Sequence, residues 1–317
     1  MFFQKAYGGI NDWWRWVLTT VLTLIGYAIG QIPLTVAIFY YAYKNDLLST
    51  LSPEELEALL ASLDFGALGM DLNLALFLAL LMFIGMAAAL IFFLKVLHQR
   101  YWKTLITPFE NINWNKIFFS FFLWLAFTVV LEGVSYYMDP EVYTLTFDLK
   151  NFLLLFVIII VLMPIQTSTE ELFFRGYLMQ GFGLLTRNKL GAILITSLLF
   201  SLMHMMNPEV EEFGVGIMFT YYASVGFFLG LITVMDGSLE LALGVHAATN
   251  MFSALFVSYE GGALKTYAIF NTEVVNVGLM LPIFFVVAAI YFIICWKKYK
   301  WEGWRRLLEP IQRPPTS

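Results

Sequence analysis

The chain has 317 residues, of which 60% are hydrophobic and only 13% charged, about half the roughly 25% charge of an ordinary soluble domain. A fold of this length cannot hide so much apolar surface from water, and a net charge of −5 offers no basic face to a phosphate backbone. A soluble globular protein, a disordered tail and a nucleic-acid binder are thereby excluded, and the single cysteine, Cys295, excludes an intrachain disulfide framework or a cysteine zinc cluster. What remains is a multi-pass membrane protein. It is read as all-α, because its apolar runs are continuous and do not alternate with period two.

Crossing the hydrocarbon core takes about 20 apolar helical residues. The first such run, 17–43, follows Trp13, Trp14 and Trp16, as an interfacial belt would. It is too long for the core of a cleaved signal. Ser52-Pro53-Glu54-Glu55 then reads as N-cap, proline at N1 and capping box. With Leu56, Leu59, Leu60 and Leu63 at helical spacing, it predicts a short amphipathic helix, lying on the outer membrane surface or packed within its loop. Runs 72–97 and 117–136 are the next spans. The fourth, 152–185, is too long for one straight crossing and contains Pro164, where a kink or break is expected. Runs 191–206, 213–235, 239–257 and 277–296 bring the count to eight, and a basic tail follows. No repeat or low-complexity linker divides the chain, so it is treated as one membrane domain.

Charge gives the orientation. Most of the 18 Lys and Arg lie at the N-terminus, in the loops near 95–116 and 186–190, and in the tail. The intervening loops hold Lys44, Lys150 and Lys265 and most of the acids, including Glu54, Asp64, Asp71, Glu132, Asp148, Glu209, Glu211, Glu212, Glu260 and Glu273. The positive-inside rule then puts both termini in the cytoplasm. His98, beside Arg100, is read as an ordinary interfacial residue, and so is Glu240.

Ionisable groups inside a span are costly and mark function by default. They are Glu170, Glu171 and Arg175 in the fourth run, His204 in the fifth, and His246, with Asn250, in the seventh. Glu171 and Arg175 stand at i and i+4 and can pair on one helix face. Glu170 is turned about 100° away and is the carboxylate less easily neutralised, which suits a general base. Thr167-x-x-Glu170 and Ser168-x-x-Glu171 also fit capping boxes after a break at Pro164. His246 and Asn250 share a face, and either histidine could equally be an interhelical hydrogen bonder. At about 1.5 Å per residue, the three sites can meet at one depth.

A carboxylate, two imidazoles and an amide, without a serine or cysteine nucleophile, suggest activation of water for amide hydrolysis. Glu170 would take the proton, His204 would orient the water, and His246 with Asn250 would hold the oxyanion. Alternatively Glu170, His204 and His246 could bind a divalent metal such as zinc, although the spacing is not the zincin motif. A proton- or ion-coupled transporter is a third reading; paired broken helices would favour it, and only the Pro164 segment qualifies.

Glu170-Glu171-Leu172-Phe173-Phe174-Arg175 resembles the Glu-Glu-x-x-x-Arg motif of the CAAX-prenyl-endopeptidase and bacteriocin-processing family of intramembrane proteases. Phe200–His204 resembles that family's Phe-x-x-x-His motif, and His246–Asn250 its His-x-x-x-Asn motif. The resemblance covers about residues 150–257. It implies a helical membrane fold with its site in a cavity open to the cytoplasm. It also implies Glu170 acting with His204 as the base, His246 and Asn250 on the oxyanion side, and Glu171 and Arg175 completing the catalytic set. Members are described both as metalloproteases and as metal-independent glutamate proteases. The implied partner is a membrane-anchored or lipid-associated peptide or protein, and the expected location a prokaryotic plasma membrane. Residues 151–257 would form the protease core and 258–317 the last helix and tail, while 1–150 receive no role.

Overall fold

The computed structural model describes residues 2–259, 261–262, 265–272 and 276–313. Glu260 and Glu273, counted above among the acids of the intervening loops, lie outside them. Among the described residues six helices are long and apolar enough to cross a membrane. These are α1 (Trp13–Lys44), α3 (Leu72–His98), α4 (Trp114–Met138), α5 (Leu149–Thr186), α8 (Val215–Asp236) and α10 (Val277–Tyr299). Between them stand α2 (Pro53–Ala61), α6 (Lys189–Met203), the short α7 (Pro208–Phe213) and α9 (Glu240–Leu255). The expected fifth and seventh spans are therefore α6 and α9, of 15 and 16 residues. At 1.5 Å per residue these reach only about 22–24 Å, short of a hydrocarbon core of about 30 Å. The chain is an all-α, multi-pass membrane protein in which, among the described residues, six helices have full-span length, while α9 is short and largely buried and α6 is short with Leu194, Leu198 and Leu202 exposed on one face.

Lipid-facing residues account for the composition. Along α1, Val17, Val21, Ile25, Ile29, Ile32 and Val36 are exposed, as are Phe118, Phe122, Val130 and Val134 of α4. In water such a surface would be an aggregation patch, and in lipid it is the required outer face. Inward, α1 and α3 meet backbone to backbone. A Cβ on Gly26 would stand 2.7 Å from the carbonyl oxygen of Gly85, and one on Gly85 would stand 2.4 Å from that of Gly26. Small residues of this kind let membrane helices approach closely enough for dispersion to hold them.

The loops sort into two sets. At one end Gln4 Nε2 donates to the Gln312 carbonyl, and the Ile311 amide to that of Arg187. Nearby, Lys116 Nζ reaches Asp236 at 2.8 Å and Trp301 Nε1 donates to the same carboxylate. Glu240, read as interfacial, is fully buried there, accepting from the Asn113 amide and Ser238 Oγ. His98 is likewise buried rather than interfacial. Nδ1 and Nε2 meet the Ile10 carbonyl and the Tyr177 hydroxyl, and Trp16 lies against its ring. Beside it Arg100 is 3% exposed, and burial lowers its guanidinium pKa to about 10. A local interfacial reading missed these residues because segments distant in sequence fold over them, the N-terminal segment over His98 and the loop at Asn113 over Glu240.

At the other end Lys265 pairs with Asp64 and the Tyr267 hydroxyl donates to Asp71. Three short strands also gather there: β1 (Tyr143–Leu145), β2 (Val257–Tyr259) and β3 (Phe270–Thr272), in the order β1-β3-β2. β1 runs antiparallel to β3, pairing Tyr143 with Thr272, and β2 runs parallel to it, pairing Val257 with Phe270. Helix α2 has the expected capping box, Glu55 N to Ser52 Oγ and Ser52 N to Glu55 Oε2, but ends at Ala61 and leaves Leu63 outside.

Candidate active site

Helix α5 supplies the carboxylates. It does not break at Pro164. The α-helix continues through it to Glu171, and the irregularity comes about two turns later, as a π-helical segment over Leu172–Leu178. Neither expected capping box forms, because the helix does not start here. Thr167 and Thr169 instead return their hydroxyls to the carbonyls of Met163 and Ile165, four residues back. π-segments concentrate at functional sites, where they re-aim side chains, and this one carries Arg175.

Helix α9 supplies His246 and Asn250, and its back face is pinned. A Cβ on Gly244 would stand 2.4 Å from the Ile117 carbonyl, so α9 lies directly on α4. Ser120 Oγ donates to the Leu241 carbonyl, and Trp124 Nε1 to Thr249 Oγ1 at 2.8 Å. The opposite face of α9 is thereby turned to α5.

There the groups meet. Glu171 Oε1 accepts from Arg175 Nη1 at 2.6 Å and lies 2.8 Å from His246 Nδ1. Both Glu171 and Arg175 are wholly buried, and the guanidinium sits 4.2 Å from the centre of the Phe200 ring. An ionised carboxylate can only accept, so His246 Nδ1 donates to Glu171, and Nε2 is the ring atom on the Glu170 side. Nε2 lies 3.4 Å from Glu170 Oε2, beyond an ordinary N–H···O bond. The other oxygen of Glu170 accepts from Gln166 Nε2 at 2.7 Å, and Gln166 Oε1 accepts from Asn250 Nδ2 at 3.1 Å. The Glu170 side chain keeps 12% exposure, against none for Glu171 and Arg175.

Five of the six singled-out residues thus lie in two hydrogen-bonded groups, Arg175–Glu171–His246 and Glu170–Gln166–Asn250, that face each other across the 3.4 Å gap between His246 and Glu170. The sixth, His204, caps the end of α6 and joins through rings. Its imidazole lies 4.3 Å from Phe200, whose ring also lies 6.3 Å from that of His246, and 4.5 Å from Tyr222 of α8. His204 Nδ1 lies 2.7 Å from the Phe200 carbonyl. It therefore bears the hydrogen, leaving Nε2 as an acceptor. Tyr222 is held in turn by Asn207 and Glu209.

Gln166 was missed because a scan for charged residues passes over an amide; its place four residues before Glu170 was the available signal. The unassigned N-terminal segment also reaches the site. Thr169 Oγ1 contacts the Phe83 carbonyl of α3, and Tyr27 of α1 packs on the Phe83 ring.

Among the described residues no three His, Cys, Asp or Glu side chains converge to hold a metal ion. The Phe200 ring packs against both His204 and His246, with centroids 4.3 and 6.3 Å away. In this arrangement Glu170, His204 and His246 do not converge on one point.

Fold and site together define an integral membrane protein with a buried glutamate–histidine centre. The pattern of the type II CAAX prenyl endopeptidase Rce1-like family matches residues 149–252, the segment that bears the site. The chain is also 33% identical over 262 residues to the uncharacterized protein YyaK of Bacillus subtilis (strain 168), covering 81% of this chain and 82% of that one. No solved structure matches. The chain belongs to the type II CAAX prenyl endopeptidase Rce1-like family, and at the level of the family it is a CAAX-type intramembrane protease.

Proposed function

We propose that the protein is an intramembrane endopeptidase that hydrolyses peptide bonds of membrane-associated substrates with water activated by Glu170. The observation that carries this reading is the division of labour between adjacent carboxylates. Glu171 is wholly buried and bonded to Arg175, whereas Glu170 has one oxygen on Gln166 and the other turned, partly exposed, toward His246. One is built to hold a scaffold and the other to exchange a proton.

In the proposed reaction Glu170 Oε2 takes a proton from a water whose other hydrogen is accepted by His204 Nε2. The water oxygen bonds to the scissile carbonyl carbon, and the carbonyl π pair moves onto its oxygen, which accepts hydrogen bonds from Asn250 Nδ2 and, with His246 carrying a proton on both ring nitrogens, from His246 Nε2. As the C–N bond breaks, Glu170 returns its proton to the departing amine. Donors placed where the negative charge develops are worth about 10²–10³ in rate. Glu171 and Arg175 touch no reacting atom in this scheme and act as positioning residues for His246. No step runs through a metal. Both termini are assigned to the cytoplasm, because the end of the bundle where they meet bears most of the basic residues.

The test is cleavage of a farnesylated peptide ending in a Cys-aliphatic-aliphatic-X sequence by purified, chelator-treated protein. Glu170→Gln is expected to abolish cleavage and leave thermal unfolding unchanged. Cleavage retained in that variant would refute Glu170 as the base. Activity that vanishes with the chelator and returns with zinc would refute the metal-free scheme.

A further inference from the structure

Gln166 lies one helical turn before Glu170 on α5 and is 7% exposed. Its amide is bonded at both ends: Nε2 donates to Glu170 Oε1 at 2.7 Å, and Oε1 accepts from Asn250 Nδ2 at 3.1 Å. The polarity of this chain is dictated from one end. An ionised carboxylate has no hydrogen to give, so Glu170 obliges Gln166 to face it with its NH2. The carbonyl of Gln166 must then face α9, and Asn250 can meet a carbonyl only with its own NH2. Side-chain amides are close to symmetric in shape, and what decides their orientation is the network around them. Here the charge of one carboxylate sets two amides in series.

On the reading of the site given above, we infer that Gln166 is a positioning residue that couples the ionised state of Glu170 to the orientation of Asn250, keeping the Asn250 NH2 on the side where the oxyanion forms. One Asn250 N–H goes to Gln166 and the second is left for the substrate. The donor is thus held in place while Glu170 is ionised and ready to accept a proton. Once Glu170 has taken that proton, its carboxyl group can donate, and the constraint on Gln166 relaxes. A glutamine that merely tied α5 to α9 would also satisfy both bonds, but it would transmit nothing from Glu170 to Asn250.

The transmission can be measured without a substrate. The full chain, labelled with 15N at asparagine side chains, is placed in lipid nanodiscs, and the Asn250 amide resonance is assigned by its loss in Asn250→Ala. Glu170→Leu is expected to shift that resonance, and to stop shifting it in a Gln166→Met background. An Asn250 resonance that ignores Glu170→Leu, or that moves equally with Gln166→Met present, would overturn the inference. Methionine is chosen because it is unbranched and apolar and fills irregular space well.

Kinetics on the farnesylated peptide give a second reading. Gln166→Met is expected to lower kcat by about 10-fold to 100-fold with KM within about threefold, and the double variant with Asn250→Ala to be no worse than Asn250→Ala alone by more than about threefold. Additive losses would mean that Gln166 acts independently of Asn250. Should Gln166→Met not fold, Gln166→Glu retains the acceptor for Asn250. Asn250→Ala is then expected still to lower kcat at least about tenfold in that background, and no effect there would overturn the coupling. If Glu170→Gln cleaves normally, the proposed function fails on its own, and the resonance experiment alone judges the coupling.

Discussion

Replacing Arg175 with methionine removes the guanidinium that stands 2.6 Å from Glu171 Oε1 and leaves a wholly buried carboxylate with His246 Nδ1 at 2.8 Å. Breaking a buried ion pair by removing one partner costs about 3–5 kcal/mol, because the remaining charge keeps its desolvation penalty. Two features place this case at the lower end. His246 still meets the same oxygen, and a methionine sulfur can rest on the Phe200 ring, where the guanidinium now lies 4.2 Å from its centre. The expected loss is about 3 kcal/mol, a large part of the 5–15 kcal/mol that holds a typical fold. Glu171→Gln removes the charge that required compensation. The double variant Glu171→Gln/Arg175→Met is therefore expected to recover to within about 1 kcal/mol of the original protein, since a neutral buried pair is often as stable as an ionic one. Reversible unfolding in mixed micelles, followed by tryptophan fluorescence, measures all three variants. A double variant as unstable as the sum of the two single losses would refute the reasoning. Arg175→Met with unchanged stability and no cleavage would give Arg175 a direct part in the chemistry instead.

Gly85→Ala is expected to separate α1 from α3, because the added carbon would stand 2.4 Å from the Gly26 carbonyl oxygen; overpacking of this kind costs about 1–3 kcal/mol, and an unchanged unfolding midpoint would argue against the close approach. The Asp64–Lys265 pair makes a pH prediction. Burial alone would raise the Asp64 carboxyl, but the Lys265 ammonium and the amides of Ala67 and Gly66 outweigh it and hold the group below the usual aspartate range. Its contribution is therefore present above the ordinary aspartate pKa and is lost as the pH falls through the lowered value. Hydrogen exchange in the loop around Asp64 is expected to quicken only at that acidic end, and Asp64→Asn to remove the dependence.

Much of the site was legible because a bilayer makes charge expensive. Glu170, Glu171 and Arg175 stood out in an apolar run, and i, i+4 spacing was enough to predict both the Glu171–Arg175 pair and the shared face of His246 and Asn250. The same logic failed for His98 and Glu240. Both sit near the ends of apolar stretches, where exposure is the default, and both are covered by segments distant in sequence. Pro164 misled in the opposite way: a proline lacks one N–H and crowds the preceding turn, yet the α-helix continues past it and the π-segment forms after Glu171.

By itself the sequence determined that this is a helical membrane protein, which residues carry unusual charge, and which of them share a helix face, because composition and period are local properties of the chain. Only the structure decided that α6 and α9 are short helices of 15 and 16 residues. It also separated the roles open to the two adjacent glutamates and brought Gln166 between Glu170 and Asn250. Those outcomes depend on which helix lies against which. Here that is set by close backbone approaches, such as Gly244 on α4, and by the need of each buried polar atom for a partner.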